Sequence, residues 1–157
     1  MTDQKLVAVV MGSPSDQAIM TECIRHLEYF GIRHQQFIMS AHRTPDLTLE
    51  FARTAAEQGF QVIIAAAGMA AHLPGVIAAH TLLPVIGVPL AASALNGVDA
   101  LYSIVQMPSG VPVAACAIGK AGAINAAVLA AEILGLQYEQ IKHKLVEFKN
   151  TGCKLSN

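Results

Sequence analysis

At 157 residues the chain has the length of one domain, and its formal charge of −1 gives no basic field for nucleic acid. With 54% apolar residues, 13% charged and no Trp, the core must be built from Ala, Val, Ile and Leu, and part of so apolar a surface is expected to be buried against further subunits. No apolar run reaches the roughly 18 residues that a membrane span requires. The longest, residues 62–71, contains Gly68 and ends at His72.

Residues 5–11 form a Val-rich run and read as the first strand. Gly12-Ser13-Pro14-Ser15-Asp16 follows, and then a helix with Met20, Cys23, Ile24, Leu27 and Phe30 at helical spacing, ended by Gly31. Residues 34–39 read as the second strand. Thr44 as N-cap and Pro45 as first helical residue start a helix with Leu47, Phe51 and Ala55 on one face, before Gly59. Residues 62–67 form a third strand, apolar throughout and so expected to be buried on both faces. Residues 73–82 read as a short helix, 84–88 as the fourth strand, 97–106 as a helix and 112–117 as the fifth strand. Residues 121–134 predict a helix so apolar all round that it should be buried. A final amphipathic helix carries Tyr138, Ile141, Leu145 and Phe148 as its stripe, with Lys142, Lys144 and Lys149 outside it.

No linker or repeat interrupts this alternation, so residues 1–157 read as a single doubly wound α/β domain. Right-handed crossovers make 2-1-3-4-5 the expected order of its five parallel strands. Residues 5–134 form the core. Residues 135–157 form a C-terminal helix and tail whose stripe has no obvious partner in five βα units, and it is expected to pack on a neighbouring subunit. Residues 1–6 lack the apolar segment behind a basic start that marks a signal peptide. Cys23, Cys116 and Cys153, an odd set without C-x-x-C spacing, fit reduced thiols in a cytoplasmic protein. Cys116 sits in an apolar run and reads as core.

All the polar clusters follow strands, which brings them to one sheet edge. In Gly12-Ser13-Pro14-Ser15-Asp16 the glycine allows close approach, the two hydroxyls can donate to phosphate, and Asp16 suits a ribose diol; a Ser-capped helix is the plainer reading. Ser40-Ala41-His42-Arg43-Thr44-Pro45 sets a hydroxyl, an imidazole and a planar guanidinium fork in one strand-to-helix turn, or is an ordinary polar loop. Gly68-Met69-Ala70-Ala71-His72-Leu73-Pro74-Gly75 exposes backbone N–H groups, with His72 either a ligand or a helix-start residue. His80 should meet carbonyls at a helix end, whereas His26, His34 and His143 sit among charged residues expected at the surface.

Spacing excludes several chemistries. Ala114 and Ala121 stand where a Walker A loop around Gly119-Lys120 needs Gly and Ser or Thr. No G-x-G-x-x-G follows the first strand, and no H-E-x-x-H, paired cysteines or clustered carboxylates support a metal. G-x-S-x-G is also absent. One well-placed imidazole, phosphate-binding groups and no cofactor machinery suit proton transfer on a small phosphorylated substrate.

Taken together, Met11-Gly12-Ser13-Pro14-Ser15-Asp16, Ser40 through Pro45, Ala70-Ala71-His72-Leu73-Pro74-Gly75 and Ser103-Ile104-Val105-Gln106-Met107-Pro108 resemble the class I N5-carboxyaminoimidazole ribonucleotide mutases of bacterial purine synthesis. The resemblance covers residues 5–134. It implies a homo-octamer of flavodoxin-like three-layer subunits, a small nucleotide substrate, and a cofactor-free shift of a carboxylate from the exocyclic nitrogen to C4 of an aminoimidazole ring. It also implies that Ser13, Asp16 and Arg43 contact substrate, that Ser15 and Ser40 help to hold phosphate, and that His42 is the general acid/base. Gly68, Ala70, His72 and Leu73 match the loop around the carboxylate and ring. Two residues depart from the pattern: Met69 replaces a usual second Gly, and Pro14 a common Lys. The rival readings are the class II enzyme that uses free CO2, a flavin- or nucleotide-holding module with too few aromatics to flank a flavin, and an inactive paralogue, against which the intact Ser13, Asp16, His42, Arg43 and His72 count.

Overall fold

A computed structural model describes residues 6–155 and contains five parallel strands in the expected order β2-β1-β3-β4-β5. Chain order is β1 (Val7–Met11), a 3-10 turn (Pro14–Asp16), α1 (Gln17–Tyr29), β2 (His34–Ile38), α2 (Pro45–Thr54), β3 (Val62–Gly68), α3 (Leu73–Ala78), β4 (Val85–Leu90), α4 (Val98–Val105), β5 (Ala114–Ala115), α5 (Lys120–Gly135) and α6 (Glu139–Asn150). Lys5, at the start of the expected first strand, and residues 1–5 of the segment read for a signal lie outside the described residues. No helix among the described residues is long and apolar enough to cross a membrane.

The central strands β1, β3 and β4 are buried on both faces, and alternate side chains feed two cores. Val7, Val9, Met11, Ile64, Ala66 and Val88 pack with α1, α5 and α6, whereas Ala8, Val10, Ile63, Ala65 and Ala67 pack with α2, α3 and α4. Three layers result, and every β-to-α loop leaves the same carboxyl edge.

Several elements depart from the sequence expectation. β5 is two exposed residues rather than six, because after Pro112 only Ala114 and Ala115 pair with Ile86 and Gly87 at the sheet edge. α3 stops at Ala78, and the His80 ring then meets the Val76 carbonyl at 2.9 Å, as expected of a helix-end histidine. On α2 the inward residues are Thr48, Phe51 and Ala52, followed by Ala55, while Leu47 stays half exposed. Thr48 is tolerated in the core because its hydroxyl donates to the Thr44 carbonyl at 3.0 Å. α5 packs against the sheet, α1 and α6, burying Gly122, Ala123, Ala126, Ala127, Ala130 and Ala131, and leaves Asn125 and Glu132 exposed.

The stripe of α6, left without a partner in the sequence reading, finds one in its own chain. Ile141, Leu145 and Phe148 join the core shared by α1 and α5, and Phe148 packs edge-on to Phe30 with ring centroids 5.3 Å apart. His26, read as a surface residue, is buried there as well. Its Nδ1 lies 2.7 Å from the Glu22 carbonyl and its ring stands edge-on to Phe148. Cys116 is half-buried against this core, and burial pushes its thiol up to about 11.

Candidate active site

Three loops meet at the carboxyl edge, after β1, β2 and β3. In the first, Ser13 is the N-cap of the 3-10 turn, with Pro14 at its first position. The Asp16 carboxylate accepts from Ser13 N–H at 2.9 Å and completes a capping box. The exposed Ser15 hydroxyl donates to Oγ of the half-buried Ser13 at 3.0 Å, and Ser13 Oγ also accepts from Ser15 N–H at 3.4 Å. The plainer capping reading therefore describes both Ser13 and Asp16, and of the two hydroxyls only the Ser13 hydrogen is left uncommitted. Asp16 is nearly buried, and that desolvation raises its carboxyl above the ordinary value of 3.8. The N–H groups of Ser13 and Gly12, the Ser15 hydroxyl and the charge of Arg43 pull the other way.

In the second loop His42 and Arg43 are both exposed. Arg43 Nη2 donates to the Gly12 carbonyl at 3.1 Å, so the guanidinium ties the β2 loop to the β1 loop. Ser40 does not stand free as a phosphate donor. Its Oγ accepts from the N–H groups of His42 and Arg43 at 3.3 and 3.2 Å, leaving only its hydroxyl hydrogen for a ligand.

The third loop brings His72 to His42. His42 Nε2 lies 2.8 Å from His72 Nδ1, the ring centroids are 4.8 Å apart and the planes stand at 77°. One of the two nitrogens carries the proton of this bond, so the rings hold each other in a fixed orientation. His72 also precedes α3 in helical conformation, as the helix-start reading expects. Gly68 ends β3 where a Cβ would stand 2.5 Å from Ala92 Cβ, so only glycine lets the β3 and β4 loops pass this closely. Met69 follows with φ 55°, in the left-handed region, and Ala70 is exposed. The Leu73 side chain is core rather than site, which leaves only its backbone to face a ligand. Ser103 donates back to the Asp99 carbonyl within α4, and Met107 packs over Gly75 of α3.

The pairing of His42 with His72 was not foreseen. The signal lay in the strand order: β2 and β3 flank β1, so their loops start about 9.6 Å apart, a gap that two facing imidazoles span.

Comparison with known proteins agrees with this architecture. A family model described as AIR carboxylase matches residues 6–154, reaching through α6 and so beyond the motifs. The chain is similar to the N5-carboxyaminoimidazole ribonucleotide mutase of Pyrococcus horikoshii, 56% identical over 144 residues, or 92% of this chain and 80% of that protein. The mutase of Escherichia coli K12 is 55% identical over 143 residues, 91% of this chain and 85% of that one. Among solved structures, Treponema denticola PurE superposes with a TM-score of 0.84 at 28% identity, covering 94% of this chain and 90% of that chain. The match across nearly the whole length makes the chain a member of the AIR carboxylase family.

Proposed function

We propose that this protein converts N5-carboxyaminoimidazole ribonucleotide to 4-carboxy-5-aminoimidazole ribonucleotide in purine biosynthesis, acting as a cofactor-free mutase. The observation that carries this reading is the His42–His72 contact, set among Ser13, Ser15, Asp16 and Arg43 in a chain more than half identical to named mutases. Loss of CO2 from the nitrogen carbamate requires a proton on nitrogen. Recarboxylation at C4 then requires removal of the C4 proton to restore the aromatic ring. His42 delivers the first and takes the second, returning to its starting state. The 2.8 Å bond to His72 fixes the imidazole while the Gly68, Ala70, His72 and Leu73 loop encloses the CO2. Ser13, Ser15 and Arg43 hold the phosphate end, Ser40 contributes its remaining hydrogen, and Asp16 takes the ribose hydroxyls. The working form is a cytoplasmic homo-octamer that needs neither nucleic acid nor membrane.

The test is a direct assay of purified protein with the carbamate substrate, beside aminoimidazole ribonucleotide with bicarbonate. The carbamate should be turned over and the second mixture should not at ordinary bicarbonate concentrations. His42→Asn should still bind substrate and lose turnover by roughly 10²–10⁴-fold, the span of a general acid/base. Near-normal turnover in that variant sinks the role given to His42.

A further inference from the structure

The turn that carries His42 is closed by side chains that its sequence assigns to other work. Thr44 precedes α2, yet its hydroxyl makes no cap bond to that helix. Thr44 Oγ1 instead accepts from Ser40 N–H at 2.8 Å and donates to the Ser40 carbonyl at 3.1 Å, and Thr44 N–H meets the same carbonyl at 2.9 Å. Ser40 Oγ then accepts from His42 and Arg43 N–H. Behind Thr44, its carbonyl receives both the N–H and the hydroxyl of Thr48, at 3.1 and 3.0 Å, and Thr48 is fully buried. A continuous set of bonds therefore runs from the core through Thr44 and Ser40 to the backbone of His42.

An exposed five-residue turn left to itself samples many conformers, since fixing each residue costs about 1–2 kcal/mol of backbone entropy. His42, however, has to keep its ring within hydrogen-bond reach of His72 and in line with two successive proton transfers. Closure of the turn from residue 40 to residue 44 removes that freedom before substrate arrives.

We propose that Thr44 is a positioning residue: by clasping Ser40 through its hydroxyl, it sets the turn that aims the His42 imidazole at His72 and at the reacting ring. This rests on the reading of His42 as the proton shuttle. The clasp works on rate rather than on stability, because Thr44 is exposed and its hydroxyl supports no part of the core.

The experiment compares Thr44→Val, which keeps shape and β-branching but removes both hydroxyl bonds, with Thr44→Ser, which keeps them. Thr44→Val should lower kcat roughly tenfold with a much smaller change in KM and an unmoved melting temperature, and Thr44→Ser should recover most of that rate. In 15N-histidine NMR spectra, ring-nitrogen signals of a hydrogen-bonded His42–His72 pair should be present in wild type and Thr44→Ser, and should give way to those of an unpaired His42 in Thr44→Val. Wild-type kcat together with unchanged histidine signals in Thr44→Val overturns the proposal. A lowered melting temperature with kcat intact overturns it too, by reducing Thr44 to a structural role. Should the wild-type protein fail to turn over the carbamate, the functional reading falls, while the histidine spectra still decide whether Thr44 holds His42.

Discussion

Met69 carries a side chain at a backbone angle of φ 55°, in a loop whose neighbours are Gly68 and Ala70, and its side chain is 60% exposed. Solvent on that side returns little packing energy to offset the Cβ strain. Met69→Gly should therefore stabilise the protein by about 1 kcal/mol, seen as a raised thermal midpoint. Asp16 is the other residue held against its preference. Because burial raises its carboxyl, the folded state binds that proton more tightly than the unfolded chain does. Its stabilising contribution is complete below the ordinary value of 3.8 and is lost as pH rises through the raised one, so at neutrality the charged form is carried at a cost. Asp16→Asn keeps an acceptor for Ser13 N–H and discards the charge. The variant should resist urea slightly better than wild type at pH 7, with the gap closing as pH falls toward the carboxylate range. Its turnover should drop by roughly tenfold or more, since a charge-assisted acceptor for the ribose hydroxyls is lost. Equal urea midpoints across that pH range would remove the assigned cost of burying Asp16.

At the scale of elements, α6 shows what an apolar stripe does and does not disclose. Phe148 is 2% exposed and stands edge-on to Phe30 and His26, so Phe148→Ala should cost about 3–5 kcal/mol by chemical denaturation. A loss below about 1 kcal/mol would mean that the helix does not dock as described. The spacing of Tyr138, Ile141, Leu145 and Phe148 announces a buried face without naming its partner. That partner is the core between α1 and α5, assembled from residues far apart in the chain. The alternation of fully apolar strands with amphipathic helices was legible, and with it the strand order, because right-handed crossovers leave few arrangements. The same logic gathered Ser13, Asp16, His42, Arg43 and His72 at one edge. Contacts made across loops were not legible: the His42–His72 bond spans thirty residues, the Ser40 hydroxyl matches a phosphate contact by resemblance, and the Thr44 hydroxyl looks from spacing like a helix cap. The inward turn of His26 was hidden for a related reason, since charged neighbours on a helix say nothing of the face opposite them.

At the scale of the whole molecule, the apolar residues left over after folding point to assembly. Val98, Tyr102 and Val105 recur at i, i+4 and i+7 on the outer side of α4, each more than 40% exposed, with Leu95 just ahead of them. Nearby, the short strand β5 leaves a hollow of about 440 Å³ between Leu82, Leu83, Pro112 and Ala114, and Leu82 itself is fully exposed. Large apolar side chains recurring along one exposed helix face are more than a monomer needs, and tyrosine with aliphatic neighbours is the composition of a subunit contact. The stripe of α6 is satisfied within its own chain, so removing that helix should damage the fold before it touches assembly. The α4 face should behave in the opposite way. Substituting Val98→Asp and Tyr102→Lys together places charge on exposed positions, which leaves both cores intact. Sedimentation velocity should give the wild-type protein as a single species of eight times the chain mass and the double variant as smaller species that retain wild-type far-ultraviolet circular dichroism. A wild-type protein that sediments as a monomer at micromolar concentration would refute the assembly, and an octamer undisturbed by the two charges would move the contact away from α4.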